Sequence, residues 1–461
     1  MPVEWSGSGP QLLMELDRSA PLRAQVEEQL RTTIQTGRLV AGERMPSTRA
    51  LATYLRLSRG VIQECYAQLQ AEGYLTSRAG SATRVATTIS IDRPTPAPLL
   101  AAEAPPLLAD FPSGVPDLGL APRADWAWAV REVCRTAADA EFDYGDAQGA
   151  PRLREVLTGY LRRVRAVDTC AANVVVCGGF QQGLGLVLRV LGGPVAVEDP
   201  GSVGNVTRAA GGATVPVPVD EQGIDVGALA ASGARVVVVT PAHQWPTGVV
   251  LAPARRHALV AWARECDGYI VEDDYDAEFR YDREPVGSLQ GLAPDRVIGL
   301  GTVSKSLAPA LRLGWAVLPS ALATAVVAAK AVADRGTPQL DQLALATLFE
   351  SGRYDRHLRR MRTEYAARRD VLVSALTRLA PSVRVTGLAA GFHAIAHLPA
   401  GVAEADVIAA ARERRVGLYG MSTYRSTHDP SPAQLVLGFG NTSQHEIRTG
   451  IGLVADLLSR R

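Results

Sequence analysis

The first 86 residues alternate apolar and polar positions with the spacing of short helices. Pro21 predicts the first turn of one helix, and Gly37 predicts its end. The apolar residues between them recur every four positions, as one buried helical face requires: Leu22, Val26, Leu30 and Ile34. This segment is therefore expected to press one side of an amphipathic helix into a core.

Two further helices and a hairpin follow in the same block. Ser47 and Ser58 can each cap a short helix, because a serine hydroxyl accepts a hydrogen bond from a free first-turn amide. Gly73 marks the end of the second of these helices. The segments YLTSR and ATRVATT then predict two short strands around Gly80. Three helices and a β-hairpin predict a winged helix-turn-helix over residues 10–86.

The rest of the chain changes character twice. Residues 87–109 are rich in Pro and Ala, which predicts a semi-stiff linker. From 110 to 461, apolar runs alternate with helical stretches. The candidate strands are NVVVCGG, PVAVEDP, ARVVVVTP, YIVEDD, RVIGLGT and LGWAVLP. This alternation predicts an α/β domain with a mainly parallel sheet, in which ligands bind beyond the carboxyl ends of the strands.

Composition excludes several classes of protein. The 461 residues carry 48 basic and 47 acidic side chains, a net charge of +1, so any nucleic-acid patch must be local. No apolar run reaches the roughly 18 residues of a membrane span, and the N-terminus lacks the order of a signal peptide. The five cysteines form no CxxC pair and no metal spacing. We therefore expect a reduced, cytoplasmic protein with no metal site.

The predicted winged helix carries a local excess of positive charge. Residues 37–85 contain seven arginines and three acidic residues, which suits a phosphate backbone. Arg59 and Gly60 begin the second helix of the turn, where a side chain can enter the major groove. Arg49 lies on the preceding helix, and Gly80 at the wing tip allows close approach. The alternative is that these arginines form the solvated face of a protein-interaction module.

Lysine usage points to a second kind of chemistry. Lys occurs only at 305 and 330, so 46 of the 48 basic residues are Arg. A lysine kept against that bias is a candidate for amine chemistry, because Arg can neither lose its proton nor form an imine. Lys305 lies in a Ser-Lys-Ser segment just after an apolar strand. The segment ATAVVAAKAVADR predicts Lys330 to be a helical surface residue.

The residues around Lys305 in sequence suit pyridoxal phosphate. The cofactor needs a lysine, an anion at its pyridine nitrogen and a hydroxyl at the ring O3′. Asp273 and Tyr275 follow one buried strand, and Thr302 and Arg312 flank the lysine.

A phosphate also needs free amides. The turn before a helix in VVVCGGFQQGL supplies them at Gly179, Phe180 and Gln181.

Each of these pieces is weak by itself, and two alternatives stay open. The acidic cluster in EDDYD could instead bind a hard cation through its carboxylate oxygens. His243 and Gln244 could lie near the cofactor ring or could hydrogen-bond within their own turn.

Both halves of the chain resemble known families. Residues PLRAQVEEQL through SATRV resemble the DNA-binding domain of GntR-family repressors. That resemblance implies a set of DNA-contacting positions: Arg49, Ser58, Arg59, Gly60, Gln63 and Gly80. Gly60 stands where Thr is more usual, and the wing lacks a common second Gly.

The ordered motifs of the whole chain resemble the MocR/GabR regulators, in which such a reader is fused to a fold type I aminotransferase-like domain. These motifs are YGDAQGAPRLREVL, GGFQQGL, VEDPG, TPAHQWPTG, ARRHALVAWA, EDDYDAEFRYD and SKSLAPALRLGW. The resemblance implies a smaller α+β subdomain beside the main sheet, a homodimer and double-stranded DNA as partner.

The same resemblance implies roles for individual residues. Lys305 would form the Schiff base, Asp273 would face the pyridine nitrogen and Tyr275 would face O3′. The phosphate would be held by Thr302, Arg312, Gly179, Phe180 and Gln181. Tyr144 would reach the phosphate of the partner subunit, unless it serves only in packing.

Two departures from the family suggest which ligand is sensed. Leu435 stands near the place of the arginine that holds a substrate carboxylate in aminotransferases. After VEDPG, where several relatives have an aromatic residue and then a basic one nearby, this chain has Ser202, Val203 and Gly204. Arg425 or His428 could substitute. We therefore expect a regulator, not an enzyme, whose effector is pyridoxal phosphate itself, as in members that control vitamin B6 synthesis genes. The alternatives are an amino acid or amine effector, a working aminotransferase with an accessory DNA domain, and a decayed cofactor site.

Overall fold

The computed structural model describes residues 14–77, 82–86, 106–276, 278–281 and 287–459. The chain divides into two compact units, Met1–Glu103 and Ala104–Arg461. Of the predicted linker, only residues 106–109 lie within the described part, and Ala109 already belongs to a strand.

The first unit is a three-helix bundle with a short hairpin. Its elements are α1 (Leu22–Gln35), α2 (Thr48–Leu55), α3 (Arg59–Ala71), β1 (Leu75–Thr76) and β2 (Arg84–Val85). The two strands pair antiparallel. The predicted inward residues of α1 are buried, apart from the first-turn Leu22. Helices α2 and α3 add further buried residues to the same core, among them Leu51, Leu55, Ile62 and Leu69. The winged helix-turn-helix prediction is therefore confirmed.

Local signals set the helix ends of this unit. The Ser47 hydroxyl accepts a hydrogen bond from the Ala50 amide at 3.1 Å, and that of Ser58 accepts one from the Val61 amide at 3.3 Å. Both serines are N-caps, as their type predicted. Pro21 precedes the first residue of α1 instead of occupying the first turn, a difference of one position.

The second unit contains the remaining strands. They are β3 (Ala109–Asp110), β4 (Val174–Cys177), β5 (Val195–Asp199), β6 (Thr214–Asp220), β7 (Gly223–Ile224), β8 (Val236–Val239), β9 (Tyr269–Asp273), β10 (Val297–Thr302), β11 (Gly314–Val317), β12 (Arg384–Thr386), β13 (His393–His397), β14 (Val416–Gly417) and β15 (Gln434–Gly438).

Eight of these strands form one sheet in the order β4-β11-β10-β9-β8-β5-β6-β7. From β10 to β6 the neighbours run parallel, and β11 is antiparallel to both of its neighbours. All six predicted strands are present. The sequence prediction missed β6, whose Pro216 and Pro218 cannot donate ladder hydrogen bonds and argued against a strand. It survives because only the two-residue β7 lies beyond it in the sheet.

Helices cover both faces of this sheet. The helices of the unit are α4 (Arg123–Thr136), α5 (Pro151–Arg165), α6 (Phe180–Leu191), α7 (Val203–Ala210), α8 (Val226–Ala231), α9 (Pro253–Glu265), α10 (Ser320–Asp334), α11 (Gln339–Glu350), α12 (Arg353–Leu379), α13 (Glu404–Glu413) and α14 (Gln444–Leu458). Residues of α6, α7 and α10 share one apolar core with one set of strand positions, and α8 and α9 share another with the alternate set. The α/β prediction is thus confirmed.

A smaller α+β region completes the unit. Strands β12, β13 and β15 form an antiparallel sheet, and β3 pairs parallel with β14. Helices α12 and α14 pack against each other beside these strands. Among the described residues, no helix combines the length and the apolar character needed to cross a membrane.

The structure corrects the sequence interpretation of Lys330. Its side chain has no exposed surface and pairs with Asp334 at 2.7 Å, one turn further along α10. The alanine-rich sequence around it shows no clear polar face. Only the packing of α10 against α6 and β4 places this position inside.

Candidate functional site

A cavity of about 460 Å³ lies at the carboxyl edge of the main sheet. It brings together predicted residues from three separate segments of the chain: Phe180, Gln181, Asp273, Tyr275, Thr302, Lys305 and Arg312. Asp273 ends β9 and Thr302 ends β10, and these strands are parallel neighbours. Their ends therefore meet at one edge, as strands in an open α/β sheet should.

Lys305 presents its amine to this cavity. The Nζ atom donates a hydrogen bond to the Gly114 carbonyl at 2.5 Å. Burial lowers the pKa of Lys305, and the nearby carboxylates of Asp273 and Asp276 only partly oppose that effect. A lowered pKa gives a larger fraction of neutral amine, the form that attacks a carbonyl.

Asp273 also lines this cavity. Among the described residues, no group donates a hydrogen bond to its carboxylate. Burial raises the pKa of Asp273 well above its usual value, and the charge of Asp274 adds to this, while Lys305 opposes it. A ligand carrying a protonated ring nitrogen would satisfy such a carboxylate.

The turn before α6 forms a cradle for an anion. Gly179 has φ +94°, and a Cβ at this position would lie 3.1 Å from a guanidinium nitrogen of Arg312. The turn therefore needs glycine and holds Arg312 against it. Phe180 and Gln181 begin α6, where amides have no partner within the helix. Thr302 holds this edge together through hydrogen bonds to Ser304 and the Leu313 carbonyl.

Tyr275 lines the cavity, and its hydroxyl contacts His243. It lies 3.1 Å from both Nδ1 and the carbonyl oxygen of His243. The same Nδ1 lies 2.8 Å from an Asp276 oxygen. His243 thus supports Tyr275 without lining the cavity itself, an arrangement that is neither of the two left open by the sequence. Gln244, in contrast, hydrogen-bonds the Trp245 carbonyl and the buried Glu198, so it mainly stabilises its own turn.

Donor atoms of His243, Asp276 and His393 lie within 4.8 Å of one another. Two of the three already bond each other, and Nε2 of His393 lies 2.9 Å from the Pro246 carbonyl. These contacts form a hydrogen-bonded cluster. Burial lowers the pKa of His393 to about 3, so its ring is neutral near pH 7.

The acidic segment after β9 is also partnered by protein groups. Glu272 accepts hydrogen bonds from the amides of Leu289 and Gln290, and Asp274 forms a bidentate pair with Arg165 at 2.7 and 2.8 Å. These two carboxylates are thus occupied in holding the loop, which leaves the proposed cation position without support.

Tyr144 does not line the cavity of its own chain. Its side chain is 70% exposed, and the Arg335 guanidinium lies 5.2 Å from its ring centroid. The predicted reach into a partner subunit therefore stays a prediction.

Sequence reasoning missed several residues of the cavity. Trp245, Tyr424 and Arg208 all line it. The Trp245 ring meets those of Tyr275 and Tyr424 edge-on, at 5.5 and 5.7 Å. Its position in the loop after β8, next to Pro246, was a usable signal. No local pattern distinguishes Arg208 from other exposed arginines.

The positions that depart from the family have clear structural settings. Leu435 is fully buried in β15. Gly204 lines the cavity without a side chain. Arg425 donates hydrogen bonds to the carbonyls of Asp429 and Pro432 and to Gln434, so its guanidinium already has partners.

Five of the six predicted DNA-contacting positions lie on α2, at the cap of α3 or in its first turns. Arg49, Arg59, Gly60 and Gln63 are exposed on α2 and the first turns of α3. Within the described part of the chain, Arg49 and Arg59 form no ion pair. The Ser58 hydroxyl is used as the cap of α3. Gly80 lies outside the described residues.

Comparison with known proteins agrees with the resemblance stated for each half of the chain. The family model for bacterial regulatory proteins of the gntR family matches residues 22–85, and the model for class I and II aminotransferases matches residues 110–428. The chain is 32% identical to the HTH-type pyridoxine biosynthesis transcriptional regulator PdxR of Corynebacterium glutamicum, over 94% of this chain and 95% of the relative.

Two further comparisons extend this result. The chain is 32% identical to the probable rhizopine catabolism regulatory protein MocR of Rhizobium meliloti, over 95% of this chain and 94% of the relative. The crystal structure of a Pyrococcus horikoshii kynurenine aminotransferase superposes with a TM-score of 0.70 and 27% identity, over 76% of this chain and 90% of that one.

Proposed function

We propose a function from the premise that this chain belongs to the MocR/GabR family, the transcriptional regulators that join a GntR-type DNA reader to an aminotransferase-like domain. Pyridoxal phosphate binds in the cavity at Lys305, and its binding changes the affinity of the reader for DNA. The observation that carries this proposal is the meeting of Lys305, Asp273 and Arg312 in one cavity.

Each of these residues has a distinct task toward the cofactor. The amine of Lys305 holds the aldehyde carbon, and the Asp273 carboxylate accepts a hydrogen bond from the pyridine nitrogen. Tyr275, supported by His243, faces O3′. Arg312, Thr302 and the turn at Gly179, Phe180 and Gln181 hold the phosphate. When bound, the cofactor supplies a reactive aldehyde and an electron sink.

The cavity supports pyridoxal phosphate itself as the signal. A ligand carboxylate bound deep in a protein needs a cationic partner. Leu435 and Gly204 offer none at the two usual places, and the guanidinium of Arg425 is engaged by its own loop. A cofactor held through its phosphate, ring nitrogen and aldehyde needs no such anchor. Genes for vitamin B6 supply are therefore the proposed targets, as the name of the Corynebacterium relative suggests.

One observation favours a second candidate, an amino acid effector or a working aminotransferase. Arg208 lines the cavity, is exposed, and has a long contact of 3.4 Å with Asn205. It could meet a substrate carboxylate. Arg208→Gln should then abolish any response to amino acids and leave the response to pyridoxal phosphate intact.

The proposed DNA contacts follow from exposure and charge. Arg49 and Arg59 face solvent and form no ion pair among the described residues, and Gly60 lies in the first turn of α3, where backbone amides lack partners within the helix. Gln63 lies one turn further along the same helix, where it can read a base edge. The hairpin bearing Gly80 would serve as the wing. Residues 87–109 would link this reader to the effector domain of a homodimer.

A mobility shift tests the proposal. Cofactor-stripped protein is titrated onto its own upstream DNA at one salt concentration, with pyridoxal phosphate, with pyridoxal, or with neither. We expect only pyridoxal phosphate to change the affinity or the footprint. No change on adding it, together with an amino acid response that Arg208→Gln removes, would replace this proposal with the second candidate.

A further inference from the structure

Lys330, the second of the two lysines, is fully enclosed at the end of α10. Its side chain has no exposed surface, and its Nζ atom lies 2.7 Å from a carboxylate oxygen of Asp334. A buried ammonium is costly unless it is paired. Because an apolar side chain at this position would avoid that cost, we look for a role of Lys330 that requires its charge or its hydrogen bonds.

The carboxylate of Asp334 carries this contact onward to the anion cradle. The side-chain Nε2 of Gln182 donates a hydrogen bond to the same Asp334 oxygen at 2.6 Å. The side-chain Oε1 of Gln182 accepts one from the Gly178 backbone amide at 2.5 Å. Gly178 directly precedes Gly179, the residue that packs against the Arg312 guanidinium. An unbroken chain of hydrogen bonds thus joins Lys330 to the turn.

Electrostatics agree with this geometry. Burial alone would raise the pKa of Asp334, but hydrogen bonds from Lys330 and Gln182 outweigh it and leave that pKa below its usual value. The positive charge of Lys330 also opposes the effect of burial on the pKa of the Cys177 thiol, at the last residue of β4. The effect on Cys177 agrees with the contacts between α10 and β4, the strand from whose end the turn begins.

The choice of lysine is informative in a chain that uses arginine almost everywhere. A compact ammonium on a flexible stem fits a closed site, whereas a planar guanidinium needs more room and a wider fork of acceptors. Lys305 is explained by amine chemistry. Lys330 does not line the cavity, so its retention needs another reason.

We propose that Lys330 is a positioning residue for phosphate binding: through Asp334 and Gln182 it holds the turn at Gly178 and Gly179 in the shape that receives the cofactor phosphate. This inference rests on the proposed function, since it assumes that the turn binds that phosphate. Arg312 and the first-turn amides of α6 are then aligned before the ligand arrives.

The test compares pyridoxal phosphate with pyridoxal, which lacks the phosphate. Dissociation constants of both are measured by absorbance titration for the wild type, Lys330→Met, Lys330→Arg and Gln182→Ala. We expect the preference for pyridoxal phosphate to fall about tenfold in Lys330→Met and Gln182→Ala, because a charge-assisted network that orders the phosphate site is broken. Binding of pyridoxal should change little, and Lys330→Arg should not restore the preference.

A second readout needs no cofactor. Hydrogen exchange at the Gly178 amide in the cofactor-free protein should become faster in Lys330→Met and in Gln182→Ala. The double variant should be no worse than either single one, because both act through one chain of contacts. Gln182 is only half-buried, so its variant stays informative if Lys330→Met folds poorly.

Arg368→Met is the matched control. Arg368 is another buried cation, paired with Asp117 and Glu364 and absent from the cavity lining. The variant should lose stability and keep the wild-type preference. An unchanged preference in Lys330→Met and Gln182→Ala would overturn the inference. A wild type with no preference for pyridoxal phosphate over pyridoxal would instead overturn the proposed function.

Discussion

The two units of this protein differ in how their key basic side chains are exposed and paired. In the reader, Arg49 and Arg59 stay exposed and, within the described residues, have no acidic partner. In the second unit (Ala104–Arg461, here called the effector unit), three cations are buried: Arg165, Lys330 and Arg368. Each forms an ion pair of 2.8 Å or less. An exposed cation remains available to a polyanion, whereas a buried one needs an internal partner.

The contrast is not simply one of surface against interior. On α1 of the reader, Arg23 pairs with Glu27 and Glu64, and Arg31 pairs with Glu72. The pairs with Glu64 and Glu72 hold α1 against α3. The arginines on α2 and at the start of α3, by contrast, form no ion pair in the part of the chain that the structure describes. The arginines that lack acidic partners therefore indicate the binding surface, and a count of charges alone would not identify them.

The largest expected effect concerns the effector unit alone. Lys305→Ala should abolish the borohydride-trapped adduct with pyridoxal phosphate, because the chain has only one other lysine and Lys330 is enclosed away from the cavity. Mass spectrometry of the reduced protein measures this. Lys330→Met serves as the control and, at saturating pyridoxal phosphate, should retain the adduct. An adduct that persists in Lys305→Ala would show that the amine was wrongly assigned.

The next largest effect is expected at low pH, where histidine protonation should destabilise the effector unit and not the reader. All seven histidines lie in the effector unit. The pKa of His393 is lowered to about 3 in the folded state, against about 6.5 in an unfolded chain. Between pH 6.5 and pH 3, His393 binds a proton in the unfolded chain but stays neutral in the folded protein. The free energy of unfolding should therefore fall as pH drops toward 3, on the order of 1.4 kcal/mol per pH unit.

The control for this prediction is the difference between the wild type and His393→Phe. Burial raises the pKa of Glu198 and of Glu278 to about 7, so these groups stabilise the fold as pH falls from 7 to 4.5. That opposing contribution is present in both proteins and cancels in the difference. Urea unfolding followed by domain-resolved hydrogen exchange gives the measurement. Equal pH dependence in the two proteins would refute the assignment of His393.

Arg59→Ala tests the reader side of the comparison. Loss of an unpaired cation at the start of α3 should weaken DNA binding by about 1–3 kcal/mol. The slope of log K against log salt concentration should fall by the amount expected for about one phosphate contact. Arg23→Ala, which removes a paired arginine of α1, should change DNA affinity much less. Cofactor loading should be unaffected in both. Equal losses in the two variants would mean that net charge, not placement, controls binding.

The smallest effect is expected at Ser58, where capping and DNA contact can be separated. Ser58→Ala should cost about 1 kcal/mol of reader stability, because α3 loses its cap. Ser58→Asp should restore the cap and repel phosphate. Thermal unfolding and mobility shifts together measure both effects. DNA binding by Ser58→Asp that equals the wild type would place Ser58 away from the backbone.

The sequence alone determined those features that depend on local chemistry. Apolar spacing predicted the three reader helices, and serine hydroxyls predicted two of their caps. The six apolar runs predicted six strands, because residues buried on both faces of a parallel sheet leave a continuous apolar pattern. The strong preference for Arg over Lys was enough to single out Lys305 as a candidate amine.

Only the tertiary structure decided features that depend on which distant segments meet. The sequence predicted a surface position for Lys330 because nothing local shows that α10 packs on α6. The bond from Tyr275 to His243 joins residues 32 positions apart, and Arg208 reaches the cavity only through the placement of α7. The strand β6 persists despite two prolines because it lies near the edge of the sheet. Periodicity reflects how each segment meets water, but it carries no information on the partner against which that segment packs.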